Sequence, residues 1–390
     1  MSLSLPTGLT VILALLLSLG LAMPADAAGT GKLWVYIGPY TGQGSQGIYR
    51  CDFDPALGRL TEPTLAAKTD NPSFLAVDPS RRYLFAVNEV EQWHGQKTGA
   101  ISAFAIDPKT GALTPLNQQS SHGTSPCHLT VDKAGKHVLV ANYGSGSVAV
   151  LPIGSDGRLG QATCVIQHHG HSVNAQRQEG PHCHCVKLDA ANRFALVCDL
   201  GLDKVMIYRY DAESGKLTPN DPPSASVKPG SGPRHIALRP DQQNAYVINE
   251  MASTITAFRL NRDSGALTPI ETVSTLPADY HAETSGAEIE VHPSGKWVYG
   301  SNRGYNSVVE FAIDSGSGKL TLVEQQRSHI NVPRSFAITP DGLHALVANQ
   351  DGKSVLAFTI DAQNGKFKPT ESRVEVANAV CVLPIRPPEQ

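Results

Sequence analysis

The chain has little net charge and few aromatic residues. Its 32 lysine and arginine residues nearly balance 35 acidic ones, leaving a formal charge of −3 over 390 residues. This balance provides no field that would hold a nucleic acid or an anionic membrane. The 3 Trp, 11 Tyr and 10 Phe are too few for a broad aromatic surface that binds a protein or glycan. The sequence also lacks G-x-S-x-G and H-E-x-x-H, so neither a nucleophile elbow nor a zinc-protease helix is expected.

Cysteine is present without a disulfide or metal-binding pattern. The seven cysteines are an odd number and include no C-x-x-C. A chain of this size needs no disulfide framework, so we expect mostly buried free thiols, with at most one incidental bridge. The 41% of apolar residues suffices for a large core, and 35 Gly with 27 Pro predict many tight turns.

The N-terminus carries the only long apolar run. Residues 9–22 are almost entirely apolar, are too short to span a bilayer comfortably, and precede an A-x-A pattern at Ala25–Ala27. We predict a signal peptide over residues 1–27 and an exported, periplasmic or secreted, single domain over 28–390. A short membrane anchor is the alternative, because residues 1–8 contain no Lys or Arg. In either case the mature chain works outside the cytoplasm.

Two phrases recur with a period of about 50 residues, which is typical of propeller blades. The first is a polar turn with a glycine followed by a β-rich run, and its seven glycines are Gly58, Gly111, Gly157, Gly215, Gly265, Gly318 and Gly365. The second is a strand, a turn and a strand ending in Asn or Asp. Its six copies cover 71–89, 125–143, 181–200, 232–250, 285–303 and 332–350.

These counts predict an all-β, seven-bladed propeller with four antiparallel strands per blade. The strand at 378–385 resembles the first strand of a blade and has no partner phrase after it. We expect it to pair with the N-terminal strands and close the ring, because closure leaves no open sheet edge. Six blades with loose ends is the alternative.

Aligned copies bring polar residues to one rim of the predicted ring, where first strands begin and second strands end. The column that opens the first strand reads Ser73, Cys127, His184, Arg234, Ala287 and Arg334, and the next reads Phe74, His128, Cys185, His235, Glu288 and Ser335. The second strand ends in Asn88, Asn142, Asp199, Asn249, Asn302 and Asn349, followed by Glu89, Tyr143, Leu200, Glu250, Arg303 and Gln350. The Asn/Asp column is expected to cap turns.

The remaining columns predict chemistry on an anionic or oxyanion-forming ligand. They contain Arg, His and Glu but no Lys, and arginine suits bidentate capture of carboxylate or phosphate. Strand alternation places His182 and His184 on one face, and Cys183 and Cys185 on the other. One of the two histidines fits a general base. Two alternatives remain: a metal site completed by His168, His169 or His171, and a structural histidine bonded to a neighbouring strand. The H-H-G-H run is expected to be a solvated loop.

The sequence resembles the seven-bladed propeller lactonase family, which includes propeller-type 6-phosphogluconolactonases and carboxymuconate cyclases. The resemblance covers residues 32–384 and rests on phrases such as YIGPYTGQGSQGIYR, VANYGSGSVAVLPI, GPRHIALRP and SNRG. By this resemblance the catalytic residues are His184 in PHCHC, Arg234 in GPRH, Glu250 in INE and Arg303 in SNRG. The columns, with His182, add candidates for substrate contact: His182, His128, His235, Glu288, Arg334 and Glu89.

The resemblance implies hydrolysis of a sugar-type lactone by a water that His184 activates, with no cofactor and no protein metal. Arg234 and Arg303 would stabilise the oxyanion, and Glu250 would orient His184. We expect a monomer that binds a small anionic or sugar-lactone substrate, and neither nucleic acid nor membrane once the signal is cleaved. Since phosphorylated sugar lactones are cytoplasmic, export leaves the identity of the lactone open. A lactonising cycloisomerase and a non-catalytic binding propeller are the alternative functions.

Overall fold

A computed structural model of the chain describes residues 1–2, 31–42 and 44–388. Every regular element in this part is a β-strand, and none of its segments forms a helix long and apolar enough to cross a membrane. The signal peptide predicted over residues 1–27 falls, apart from its first two residues, outside the described part and stays a prediction.

The second strand of each blade is almost wholly buried, the inner strand is partly exposed where it lines the ring centre, and the outermost strand is largely exposed. The β-branched and aromatic residues of the buried strands favour this conformation. The chain begins with β1 (Leu33–Pro39), β2 (Gly47–Asp54), β3 (Arg59–Leu60) and β4 (Thr64–Lys68). Blade I contains β5 (Leu75–Val77), β6 (Tyr83–Asn88), β7 (Ala100–Ile106) and β8 (Leu113–Ser120). Blade II contains β9 (Pro126–Val131), β10 (His137–Asn142), β11 (Ser147–Pro152) and β12 (Cys164–Gln167). Blade III contains β13 (Cys183–Leu188), β14 (Phe194–Asp199), β15 (Lys204–Asp211) and β16 (Lys216–Ser226).

The remaining blades follow the same order from the inner to the outer strand. Blade IV contains β17 (Pro233–Leu238), β18 (Asn244–Asn249), β19 (Thr254–Leu260) and β20 (Leu267–Ser274). Blade V contains β21 (Ser285–Val291), β22 (Trp297–Arg303), β23 (Ser307–Ile313) and β24 (Leu320–Gln326). Blade VI contains β25 (Pro333–Ile338), β26 (His344–Asn349), β27 (Ser354–Ile360) and β28 (Phe367–Glu375). The last strand is β29 (Ala379–Ile385).

The predicted closure of the ring is confirmed. Strand β29 pairs antiparallel with β1, so blade VII is built from both chain ends in the order β29-β1-β2, with β3 and β4 sharing the outer edge of β2. Seven blades result, and the six-bladed alternative is wrong. Seven hydrophobic clusters lie between the blades, one for each pair of neighbours.

The repeated glycines lie in turns where neighbouring blades pack closely. All seven have positive φ, as the predicted hairpins require. At Gly365 (φ 77°) a Cβ atom would lie 2.6 Å from the ring of Trp297 in the preceding blade. The carbonyl of the same glycine accepts a 2.9 Å hydrogen bond from Tyr299. Glycine at this position therefore serves both the turn and the close approach of the preceding blade.

The inner strands line a central channel and carry a repeated irregularity. Residues of β5, β9, β13, β17, β21, β25 and β29 surround a channel cavity of about 260 Å³. A β-bulge opens the inner strand in six blades, where the register shifts at Cys127, His184, Arg234, Ala287–Glu288, Arg334 and Val380. A bulge turns two consecutive side chains toward the same side, so these strands present adjacent residues to the ring centre.

Candidate active site

The four residues assigned to catalysis by resemblance lie together at one mouth of the channel, around Glu250. Its Oε2 atom is 2.9 Å from Arg303 Nη2 and 3.2 Å from Arg234 Nε. The Nε2 atom of His184 lies 4.0 Å from the same oxygen. The second oxygen, Oε1, accepts a 2.6 Å hydrogen bond from Arg177. Blades III, IV and V thus contribute side chains to a single cluster.

The arginines determine the charge state of this cluster. Burial alone would raise the pKa of Glu250, but the charges of Arg303 and Arg234 outweigh burial and hold that pKa well below its usual range. Burial and the neighbouring Arg234 lower the pKa of Arg303 to about 10, so it stays charged at neutral pH. Both Nε atoms of these arginines are buried and make no well-aligned hydrogen bond to the described residues, although Arg234 Nε lies within ion-pair distance of Glu250. The two guanidinium groups therefore have donor capacity that Glu250 does not use.

His184 is a neutral base in this setting. Its side chain is only 5% exposed, and burial together with the charge of Arg234 lowers its pKa well below the usual value. Its Nδ1 atom lies 3.7 Å from the thiol of Cys127, and its ring packs edge-on against Tyr143 with centroids 5.5 Å apart. An uncharged imidazole at neutral pH has a lone pair available to accept a proton.

Glu89 forms a second, smaller network at the mouth. Tyr40 donates to its carboxylate at 3.0 Å, and Ser73 donates to it as well. Arg334 donates to the Tyr40 hydroxyl at 2.8 Å and stacks over its ring. In the described part of the chain no carboxylate lies within ion-pair distance of Arg334. Arg334 is therefore the arginine of the mouth whose charge no described carboxylate pairs.

Sequence reasoning missed Arg177, which lies in the connection between β12 and β13. Besides Glu250, it donates to the Tyr143 hydroxyl at 3.2 Å. The ring of Tyr143 in turn stacks on His182 at 4.6 Å, which confirms that His182 and His184 face the same side. No repeat column contains Arg177, and the length of its connection was the only available signal.

Three of the substrate-contact candidates lie further along the channel than the mouth. His128, His235 and Glu288 line the channel cavity, and His235 Nδ1 is 2.6 Å from Glu288 Oε1. The rings of His184 and His235 are 5.1 Å apart, and those of His235 and His128 are 5.2 Å apart. Burial raises the pKa of Glu288 to about 7 and lowers the pKa of both channel histidines. Their contact with substrate stays a prediction.

Two local predictions near His184 are wrong. Cys183 and Cys185 do not share a face, because the bulge at His184 interrupts the alternation. The thiol of Cys185 lies 3.4 Å from His128 in the channel, whereas Cys183 lies 3.1 Å from His168 Nδ1 outside it. His168 is not a solvated loop residue, since it is 4% exposed and bonded to Asp199 at 2.6 Å.

The alternative metal site is not assembled as the sequence suggested. His169 and His171 are exposed, and His168 bonds to Tyr208 and Asp199 rather than approaching His184. The seven cysteines are all free thiols, six of them buried, as expected. The Asn/Asp column binds backbone groups in most blades, as predicted. Its side-chain contacts include Asn88 to Asp70 O, Asn142 to Ser121 O, Asn302 to Thr275 O and Asn349 to His329 O.

Comparison with known proteins gives the same fold and the same group of enzymes. Residues 34–384 match the family described as "Lactonase, 7-bladed beta-propeller". A 6-phosphogluconolactonase of Bacillus subtilis is 36% identical over 347 residues, which cover 89% of this chain and 97% of that protein. A 6-phosphogluconolactonase of Formosa agariphila is 31% identical, over 86% of this chain and 94% of that protein. The solved periplasmic gluconolactonase of Pseudomonas aeruginosa has a TM-score of 0.86 at 32% identity, covering 92% of this chain and 100% of that one.

Proposed function

The chain belongs to the lactonase family of seven-bladed β-propellers, and on that basis we propose that it hydrolyses the ring ester of a sugar-type lactone. The observation that carries the proposal is the gathering of His184, Arg234 and Arg303 around one buried carboxylate, Glu250. A lactone is already an activated ester. General-base help of about 10²–10⁴-fold, together with oxyanion stabilisation, is therefore enough for turnover.

In the proposed reaction, His184 takes a proton from the attacking water while the water oxygen bonds to the carbonyl carbon. The distance of 4.0 Å between His184 Nε2 and Glu250 Oε2 is too long for a direct hydrogen bond. One water can contact both atoms, and the carboxylate then orients that water and stabilises the imidazolium that forms. The ring C–O bond breaks next, and the imidazolium returns its proton to the leaving alkoxide.

Arg234 and Arg303 stabilise the oxyanion that develops on the carbonyl oxygen. Their positions are fixed by backbone contacts, since Arg234 donates to Ala287 O at 2.6 Å and Arg303 to Gly286 O at 3.0 Å. Donors held in place before the reaction need little reorganisation in the transition state. Arg334, which has no carboxylate partner in the described chain, is available to the carboxylate that ring opening produces.

We further propose that the protein acts outside the cytoplasm. The A-x-A pattern at Ala25–Ala27 supports export, and a periplasmic gluconolactonase is among the solved structures of the same fold. Export favours an unphosphorylated lactone as the substrate.

The test is a panel of lactones offered to the purified protein, with spontaneous hydrolysis subtracted. D-glucono-1,5-lactone, its 6-phosphate and a carboxymuconate are compared by kcat/KM. The proposal expects enzymatic ring opening of at least one sugar lactone. Cyclisation of the muconate without hydrolysis of any lactone would identify a cycloisomerase. No reaction with any of the three compounds would overturn the enzymatic proposal in favour of a non-catalytic binding propeller.

A further inference from the structure

A second cavity adjoins the cluster around Glu250 on the outer surface of the mouth. This rim cavity has a volume of about 550 Å³ and is lined by Asn174, Arg177, Glu250, Met251, Glu283, Thr284, Ser285, Arg303 and Gly304. Its volume lies in the range of about 300–1,000 Å³ that is typical of sites for drug-sized ligands. A single sugar lactone, with its ester at the Glu250 cluster, would leave most of this space unfilled.

Two unusually long connections form the walls of the rim cavity. The connection 168–182 has 15 residues and the connection 275–284 has 10, whereas the other five links between an outer strand and the next inner strand have three to six. They enter blades III and V, and blade IV, which carries Glu250 and Met251, lies between them. Added length at a mouth commonly serves ligand binding.

The lining matches a neutral ligand with many hydroxyl groups. It offers the amide of Asn174, the hydroxyls of Thr284 and Ser285, and the carboxylate of Glu283. Among the described residues that line it, Met251 has the only apolar side chain. Two arginines face two glutamates, so the cavity has no excess charge that would select an anion. An apolar substituent on the ligand would displace water from these polar side chains without replacing the hydrogen bonds that the water made.

An aromatic pair stands next to the rim cavity. Tyr305 directly follows Gly304, and its ring lies 4.6 Å from the ring of Tyr280. Tyr280 donates a 3.4 Å hydrogen bond to the carbonyl of Glu283, which places the pair against the cavity wall. Arg327 covers one side of Tyr305 at 4.2 Å. Tyrosine combines an apolar face with a polar edge, which suits the mixed surface of a sugar ring.

We propose that the rim cavity is a subsite for a second, uncharged sugar unit, so that the preferred substrates are lactones of disaccharide aldonic acids. The ester-bearing ring occupies the Glu250 cluster, and the glycosidic substituent lies between the two long connections beside Tyr305. This proposal rests on the lactonase function proposed above and specifies its substrate class.

The test compares kcat/KM for the 1,5-lactone of lactobionic acid with kcat/KM for D-glucono-1,5-lactone. The wild-type protein is expected to favour the disaccharide lactone by at least tenfold. Tyr305→Ala and Glu283→Gln should each reduce this ratio at least fivefold. Trp93→Ala is the matched control, because Trp93 is an aromatic residue on the β6–β7 connection at the same mouth and does not line the rim cavity. Thermal unfolding confirms that each variant is folded.

A ratio near one that none of these variants changes would overturn the subsite while leaving lactone hydrolysis intact. Failure of the proposed hydrolysis would appear instead as no turnover of either lactone. For that case, calorimetry with lactobionate and gluconate on the wild type and on His184→Ala provides an independent measurement. Lactobionate should bind at least tenfold more tightly to both proteins, and equal binding would refute the subsite.

Discussion

Glu250 organises the site, because one buried carboxylate holds three arginines in place. Arg177, Arg234 and Arg303 reach it from separate segments, and its Oε2 is also the acidic oxygen within 4.0 Å of His184. Removing one partner of such a buried charge pair is costlier than the pair's net contribution, since the remaining charge stays buried. Substitutions here therefore need a stability measurement beside the kinetic one.

Replacing Arg234 with alanine should lower kcat/KM for the best lactone by about 10²–10³-fold, the usual loss for an oxyanion donor. Glu250 keeps Arg177 and Arg303 as partners, so the fold should persist, as thermal unfolding can verify. Arg158→Ala is the matched control, since Arg158 is an exposed arginine paired with Asp156. Turnover unchanged in Arg234→Ala would remove this residue from the mechanism.

The pH profile should report the lowered pKa of His184. The charged and titratable groups acting on it are Arg234, His235, Glu250 and Arg334, and burial is the largest cause of the shift. Because the base works unprotonated and its pKa is lowered, kcat/KM should be level at pH 7 and fall only below the usual histidine pKa of about 6.5. In Arg234→Ala the acid limb should move to higher pH. An acid limb above pH 7 in the wild type would contradict this assignment.

The bulges of the inner strands explain both what the sequence predicted at the mouth and what it missed. Alignment of the repeats identified the columns containing Arg234 and His235, because the blades share turns and strand lengths. It could not show that both residues face the ring centre, since alternation alone sends neighbours to opposite sides. The bulge at Arg234 turns both residues toward the ring centre, and the bulge at His184 directs Cys183 and Cys185 to different sides. Arg177 was not predicted because its long connection between β12 and β13 has no counterpart in the aligned repeats.

The hairpin glycines allow a test of the contact between blades. Gly365→Ala places a methyl group 2.6 Å from Trp297 at a φ of 77°, whereas Gly95→Ala has a φ of 75° and open space around it. The difference between the losses of stability in the two variants isolates the cost of the steric clash. We expect Gly95→Ala to cost about 1–2 kcal/mol, and Gly365→Ala about 1–3 kcal/mol more because of the clash. Equal shifts of the denaturation midpoint would show that the contact is unimportant.

The whole ring depends on its last strand. The fold was predictable because seven glycine turns and six strand pairs repeat with one period, and because one unpaired strand remained for closure. Strand β29 supplies Val382, Cys381 and Ile385 to the clusters on both sides of blade VII. Each fully buried side chain of this kind contributes about 1.5–3 kcal/mol. Their combined loss is comparable with the total stability of an ordinary domain, about 5–15 kcal/mol.

A chain ending at residue 378 should therefore be insoluble or unfold at a much lower temperature, because it loses the inner strand of blade VII and exposes β1 as an edge. A chain ending at residue 385 removes only residues beyond β29 and serves as the control. Circular dichroism and thermal unfolding distinguish the two. Native-like unfolding of the shorter chain would mean that closure is not required.

The claim that a neutral imidazole at the channel mouth activates water is tested most directly by comparing His184→Ala with His169→Ala. Both remove a histidine, but His169 lies exposed in the nearby connection. On the lactone that the wild type opens best, His184→Ala should lower kcat/KM by about 10²–10⁴-fold and His169→Ala should leave it unchanged. A folded His184→Ala protein that retains wild-type turnover would contradict the account.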